Sequence, residues 1–286
     1  MTKIGMQRIP LKKGDLNFNA NNINNEWYNL QKFVDNDHEH YKQLQGNPIL
    51  DRYSDIKPYK HNMITLNNIQ GYINASPINI TKDKYFITTQ GPKEETIEDF
   101  WRMIDEYNCK VIVMLCNILE GGREKCAKYW DKSFRMNNYI IEDVKEEKQN
   151  GFIIRHIKYM NEKKEKKNVQ QIHFTDWPDK GVPDVKGGKI FETFTQIMRK
   201  IDEFKGNDPI VVHCSAGVGR TGTFISMYFL EKEILKQIND KFDYIQFSIF
   251  NLVRKLKEMR LYLVQNQEQY IFVYQFVYYL LTTYNI

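Results

Sequence analysis

Apolar residues recur along this chain in three rhythms: helical, alternating and continuous. Trp27, Leu30, Phe33 and Val34 follow helical spacing from Glu26 to about Leu44, and Gly46-Asn47-Pro48 ends the run. Ile97, Phe100, Trp101 and Ile104 mark a helix within Glu94 to Tyr107, which feeds the apolar strand Val111 to Leu115. Gly71 to Ser76 and Tyr85 to Pro92 read as two strands with turns between them. From Tyr139 to Phe174 the pattern alternates in strand fashion through Ile140, Val144, Phe152, Ile154, Val169 and Ile172. Two polar runs, Lys145 to Asn150 closed by Gly151 and Glu162 to Lys167, predict hairpin breaks. Ile190, Phe191, Phe194, Ile197 and Ile201 form another helical stripe, leading into a continuous apolar strand, Ile210 to Val212. Helices are expected from Thr221 to Asn239 and from Ser248 to Met259, and a buried one over Tyr270 to Leu281.

The first 25 residues are Asn-rich and lack an apolar period, so they read as mobile. No Pro/Gly/Ser-rich linker interrupts the remainder of the chain, which makes 26–286 a single domain. The run from Tyr270 to Leu281 falls short of the roughly 18–20 residues that span a bilayer. No signal segment or lipid-attachment motif is visible, so membrane insertion is not expected. Four cysteines are too few for a disulfide framework, and a reducing cytoplasm is the expected setting. A net charge of +5 suits an anionic substrate, but without zinc-finger spacing or a basic helix it does not point to nucleic acid. Nothing in the pattern fixes an oligomeric state.

The chemistry concentrates in Ile210-Val211-Val212-His213-Cys214-Ser215-Ala216-Gly217-Val218-Gly219-Arg220-Thr221-Gly222. A β-branched run ends in a cysteine, a small-residue loop comes next, then an arginine, and a helix-forming segment begins at Thr221. Unpaired N–H groups in such a loop, together with the helix dipole, make an anion site. The same nest favours the thiolate form of a cysteine set inside it. Arg220 adds a planar fork that matches two phosphoryl oxygens at once. A nucleotide-binding loop would need a Gly-Lys-Ser/Thr ending or a third glycine, and the stretch has neither.

This stretch resembles the phosphate-binding loop of the protein tyrosine phosphatases, and further motifs in the expected order carry the resemblance over about residues 26–282. It implies an α/β fold, a highly twisted mixed sheet flanked by helices. It also implies that phosphotyrosine in proteins is hydrolysed through a cysteinyl-phosphate intermediate. In that scheme Cys214 is the nucleophile, while Arg220 and the backbone of Ser215, Ala216, Gly217, Val218 and Gly219 hold the phosphoryl oxygens. His213 acts on the thiolate from behind, and Thr221 donates to the departing thiolate. His173-Phe174-Thr175-Asp176-Trp177-Pro178-Asp179-Lys180-Gly181 resembles the family's mobile acid loop, with Asp179 as proton donor and Trp177 as hinge packing. Asn47 to Tyr59 resembles the substrate-recognition loop. There Tyr53 walls the phosphotyrosine slot and Asp55 accepts from the peptide backbone. Glu120 to Trp130 resembles the glutamate loop, in which Glu120 holds the guanidinium of Arg220 and Lys125 lies near the substrate. Arg260 to Tyr270 resembles the glutamine loop, with Gln265 positioning water and Gln269 assisting.

No metal or cofactor is implied, because fixed amides and a guanidinium supply the charge stabilisation. The sequence departs from the family at Leu50-Asp51, where Lys-Asn is usual, at Gly71 for aspartate, at Lys180 for Phe or His, and at Asn266 for threonine. Tyr262 and Lys257 stand where some members have a glycine and an arginine beside a second aryl-phosphate site. Two alternative readings remain: a phosphotyrosine-binding trap with weak turnover, and a dual-specificity phosphatase. The compact single domain and its Asn/Lys/Ile/Tyr-rich composition are similar to phosphatases carried by wasp-associated polydnaviruses. That similarity implies action on signalling in a host-cell cytoplasm, as a viral virulence factor.

Overall fold

A computed structural model describes residues 7–10, 19–36, 44–67, 71–81, 84–178 and 181–284. Strand β1 is Gln7–Pro10, followed by α1 (Ala20–Asn36), β2 (Ala75–Thr81), β3 (Lys84–Thr89), α2 (Ile97–Glu106) and β4 (Val111–Met114). A two-residue hairpin, β5 (Leu119–Glu120) and β6 (Arg123–Glu124), precedes three long strands: β7 (Ile140–Lys148), β8 (Phe152–Met160) and β9 (Lys166–Phe174). The remainder is α3 (Lys189–Phe204), β10 (Ile210–His213), α4 (Gly219–Asn239), β11 (Tyr244–Phe247), α5 (Ile249–Met259) and α6 (Gln267–Thr283).

Seven strands form one mixed sheet in the order β2-β3-β10-β4-β9-β8-β7. Its centre, β3, β10, β4 and β9, is parallel, while β2, β8 and β7 pair antiparallel at the two sides. Every residue of β4 and β10 is buried, which is what a parallel strand covered on both faces requires. Their runs Val-Ile-Val-Met and Ile-Val-Val-His are accordingly continuous rather than alternating. Helix α4 packs against α5, α6 and β11 and buries residues around most of its circumference. Phe191 and Phe194 of α3 meet Phe272 of α6 in a further aromatic layer. The loop after β10 leaves the carboxyl ends of the parallel strands, where ligands bind in open sheets of this kind.

Several elements differ from the sequence reading. The first helix starts at Ala20, inside the segment expected to be mobile, most of which lies outside the described residues. Asn19 begins it, its Oδ1 accepting from the Asn21 N–H at 2.9 Å, and Ile23 extends the Trp27 and Leu30 stripe by one turn. The described helix ends at Asn36, and Leu44 instead bridges to Tyr59. The strand expected over Gly71 to Ser76 runs from Ala75 to Thr81, because Tyr72 and Asn74 turn inward to hydrogen-bond Asp51. Strand β7 continues to Lys148, through much of the expected break, its polar residues lying on an exposed flank of the sheet. β11, which pairs with β1, has no counterpart in the sequence reading.

Candidate active site

Cys214 directly follows β10 at the base of the loop and is 4% exposed. The chain then passes through Ser215 and Ala216, turns at Gly217 and enters α4 at Gly219. Gly217 has φ +70°, and a Cβ there would lie 2.1 Å from the Thr89 carbonyl oxygen, so only glycine fits. A Cβ on Gly219 would meet the Gln269 amide nitrogen at 2.8 Å and Gln265 Oε1 at 3.1 Å. The absent side chain therefore lets both glutamines close on the loop.

Arg220 leaves the first turn of α4 and is gripped by Glu120 of β5. Nη1 donates to Oε1 and Nη2 to Oε2, both at 2.7 Å, and Nη1 also donates to the Leu115 carbonyl at 3.1 Å. Burial alone would lower the guanidinium's pKa, but hydrogen bonding to Glu120 together with the negative charge of Cys214 and Glu120 outweighs it and holds the pKa above its ordinary value. Thr221 is buried in the same turn, and its Oγ1 has no hydrogen-bond partner among the described residues. His213 lies under the loop, fully buried, with Nδ1 donating to the Cys214 carbonyl at 3.1 Å.

Tyr53 reaches the loop from the segment before β2. Ser215 Oγ donates to the Lys125 carbonyl at 2.9 Å, which leaves it to accept from the Tyr53 hydroxyl at 2.8 Å. Asp51, one of the departures from the family pattern, is buried and anchors this segment. It accepts from the Tyr72 hydroxyl at 2.5 Å, Asn74 Nδ2 at 2.9 Å and the Asn47 N–H at 2.8 Å. Asn74 in turn accepts from Arg260 at 2.7 Å, and Arg260 donates to the carbonyls of Gly217 and Ala216 at 3.1 and 3.3 Å. The recognition segment and the phosphate loop are thus two ends of one buried network. Burial pushes the Arg260 pKa down to about 10, which leaves it cationic at neutral pH. Sequence reasoning gives Arg260 no role, because an arginine beside apolar residues carries no periodic signal.

Asp179 and Lys180 lie outside the described residues. Their neighbours are held at the site. The Pro178 carbonyl accepts from Arg220 Nη2 at 3.0 Å, Trp177 is buried with its Nε1 donating to the Gly181 carbonyl at 3.2 Å, and Gly181 lines the cleft. On the far wall Gln269 accepts the Gln265 N–H at 2.8 Å, and Asn266 caps α6 by accepting from the Gln269 N–H at 2.9 Å. Asn266 departs from the family pattern, and capping is what an asparagine at this position does well. Lys257 does not face the rim as expected. It is 1% exposed, and its ammonium donates to the Val264 carbonyl at 2.9 Å. Tyr262 is half-buried against Tyr59 and Leu261 with φ +67°.

These elements enclose a cleft of about 440 Å³. Cys214, Ser215, Ala216, Gly219 and Arg220 line its floor, and Tyr53, Asp55, Glu120, Lys125, Gln265 and Gln269 its walls. Gly217 and Val218 shape the loop from beneath, both buried. One thiol, a clamped guanidinium and a helix N-terminus converging on a narrow cleft suit a tetrahedral dianion on an aromatic stem.

A family model described as protein-tyrosine phosphatase matches residues 47–279. Receptor-type tyrosine-protein phosphatase S of Gallus gallus is 39% identical over 243 residues, 81% of this chain and 15% of that protein. Receptor-type tyrosine-protein phosphatase C of Homo sapiens is 38% identical over 78% of this chain and 17% of its own length. The chain thus spans less than a fifth of the curated relatives it matches. Among solved structures, the catalytic domain of human protein tyrosine phosphatase non-receptor type 18 superposes with a TM-score of 0.79 at 29% identity, covering 91% of this chain and 96% of that one. A complex of PTPN18 with HER2 phosphopeptides matches with a TM-score of 0.80 at 28% identity, over 91% of this chain and 93% of that one.

Proposed function

This chain belongs to the protein-tyrosine phosphatase family, and from that premise we propose that it hydrolyses phosphotyrosine in proteins. The observation that carries the reading is the two-pronged grip of Glu120 on Arg220 above Cys214, which presents a fixed guanidinium to a phosphoryl group. The Cys214 thiolate attacks phosphorus and forms the S–P bond as the P–O bond to tyrosine breaks. Loop N–H groups and Arg220 carry the charge on the three non-bridging oxygens. Asp179 gives its proton to the departing phenolate oxygen. It then takes one from a water placed by Gln265, which attacks the phosphocysteine and releases phosphate. Thr221, whose hydroxyl has no other partner among the described residues, donates to the returning thiolate.

Tyr53 at the mouth and Cys214 on the floor favour a tyrosine-specific enzyme over a dual-specificity one, since the short phosphoserine stem falls short of a deep nucleophile. Four free, buried cysteines suit a reducing cytoplasm, and on the polydnavirus resemblance that would be a host cell's, with host signalling proteins as substrates. Among the described residues, no helix is long and apolar enough to cross a membrane.

The test is Cys214→Ser, which keeps the loop and Arg220 but lacks the thiolate. It should bind a phosphotyrosyl peptide and turn over none of it. A serine variant retaining a tenth of the parent rate would remove Cys214 from the mechanism. A parent protein that binds the peptide without turnover would establish the trap reading instead.

A further inference from the structure

Behind the phosphate loop a file of buried polar side chains crosses the sheet and ends on the Cys214 backbone, and the proposed reaction uses none of these side chains. Arg155 on β8 stands directly opposite Glu146 on β7 and Gln171 on β9. Its Nε donates to Glu146 Oε1 at 2.5 Å and its Nη1 to Gln171 Oε1 at 2.7 Å, while the Trp130 ring lies 4.5 Å from the guanidinium carbon. Gln171 Nε2 is 2.5 Å from the Tyr129 hydroxyl, which is 2.9 Å from His213 Nε2. His213 Nδ1 is 3.1 Å from the Cys214 carbonyl.

Each proton in this file has a forced address. A guanidinium only donates, so Gln171 Oε1 must accept and its NH₂ must face Tyr129. That NH₂ also only donates, so the Tyr129 oxygen accepts, and its own proton goes to His213 Nε2 at 2.9 Å in preference to the weak acceptor Met114 Sδ at 3.9 Å. From the other end, the Cys214 carbonyl only accepts, so His213 Nδ1 carries the ring proton. Burial pushes the His213 pKa down to about 3, so the ring holds a single proton and Nε2 has the lone pair that Tyr129 needs. Both ends of the file thus favour the same His213 tautomer. The 214–215 peptide is planar, so turning the Cys214 carbonyl toward His213 commits the Ser215 N–H to the opposite side. A Cβ on Gly91 would lie 2.8 Å from that carbonyl oxygen, and glycine leaves the space for this orientation.

We infer that Gln171, clamped by Arg155, is a positioning residue that sets the tautomer of His213 through Tyr129 and thereby orients the Cys214 peptide in the phosphate loop. Its effect on turnover rests on the phosphatase reading; its effect on the tautomer does not. The competing view is that Gln171 is merely a satisfied core amide.

Gln171→Glu separates the two, because it conserves shape and gains an ion pair with Arg155, which keeps the new carboxylate ionised. Both carboxylate oxygens accept, so the Tyr129 proton turns toward residue 171. His213 Nε2 must then carry the ring proton, and Nδ1 loses its bond to Cys214. In protein labelled with 15N-histidine, the parent should show His213 protonated at Nδ1 and the variant should show it at Nε2. kcat/KM for an aryl phosphate should fall about tenfold, the worth of one misaligned donor. Tyr129→Phe removes the transmitting hydroxyl and should cost much less, and Gln171→Glu/Tyr129→Phe should behave as Tyr129→Phe alone. A ring that keeps its Nδ1 proton in Gln171→Glu overturns the inference. So does a swapped tautomer with unchanged kcat/KM, or a loss that persists in the double variant. A parent protein without turnover would defeat the phosphatase reading, while the tautomer measurement would still decide this one.

Discussion

Glu120 and Arg220 show how much a single pair can fix. Their side chains are 5% and 12% exposed, and the carboxylate meets two guanidinium N–H groups that would otherwise be free to rotate away from the cleft. Glu120→Ala should leave Arg220 charged but unaimed. Losing charge-assisted hydrogen bonds worth about 1.5–3 kcal/mol should lower kcat/KM roughly 10–150-fold. Steady-state assays on an aryl phosphate check this, and a loss under about twofold would mean that Leu115 and Pro178 orient Arg220 without Glu120. The residues facing the cleft could be read from the sequence because their chemistry sits in short local motifs. Arg260, Asp51 and Gln171 could not, because each acts through partners far along the chain. Arg260 reaches Asn74 across 186 positions, and Gln171 reaches Tyr129 across 42.

At the scale of elements, the segment proposed as the acid loop is held by two anchors on its described side. Trp177 packs edge-on to Phe174 and Phe194 and beside Phe272, and the Pro178 carbonyl is tied to Arg220 at 3.0 Å. Asp179 is next in sequence, so in the proposed reaction proton delivery would be coupled to Arg220, the residue proposed to bind phosphate. Asp179→Ala should lower kcat by roughly 10²–10⁴-fold on a phenyl phosphate, as loss of a general acid does. The deficit should shrink as the leaving phenol becomes more acidic. An equal deficit across a leaving-group series would exclude the acid role. Helices α3 to α6 could be read from their stripes and the parallel strands from their continuous apolar runs. β2 and α1 lie elsewhere than their local pattern suggests, because Tyr72 and Asn74 serve tertiary hydrogen bonds, and because Asn19 starts a helix in a stretch whose composition suggests none. In both places long-range or capping contacts outweigh the local pattern.

For the whole molecule, the buried bases set how stability varies with pH. Burial pushes Lys257 down to about 7, His173 to about 4 and His213 to about 3. Each folded value lies below its unfolded one, so the unfolded chain binds more protons and stability rises with pH through each window. For the histidines that window lies below their unfolded value near pH 6.5, and for Lys257 it runs from about 10.5 down to about 7. Buried tyrosines such as Tyr72 and Tyr228 are shifted upward by burial and act in the opposite sense only above about pH 10. Between about pH 7 and pH 9 Lys257 drives stability upward, while the buried thiols of Cys109 and Cys116, whose pKa values burial raises, pull it down as their unfolded counterparts ionise. At about 1.4 kcal/mol per unit per proton, Lys257 by itself should add roughly 2 kcal/mol to the unfolding free energy across that interval. Lys257→Met keeps the volume and drops the titrating group, so its stability change from pH 7 to pH 9 should lie roughly 2 kcal/mol below the parent's. It also deletes the bond to the Val264 carbonyl, next to a backbone at φ +57°, so stability at pH 9 should fall below that of the parent. Urea titrations of both proteins at the two pH values measure the difference. A Lys257→Met protein whose stability changes between the two pH values as the parent's does would mean that the ammonium stays charged inside the fold.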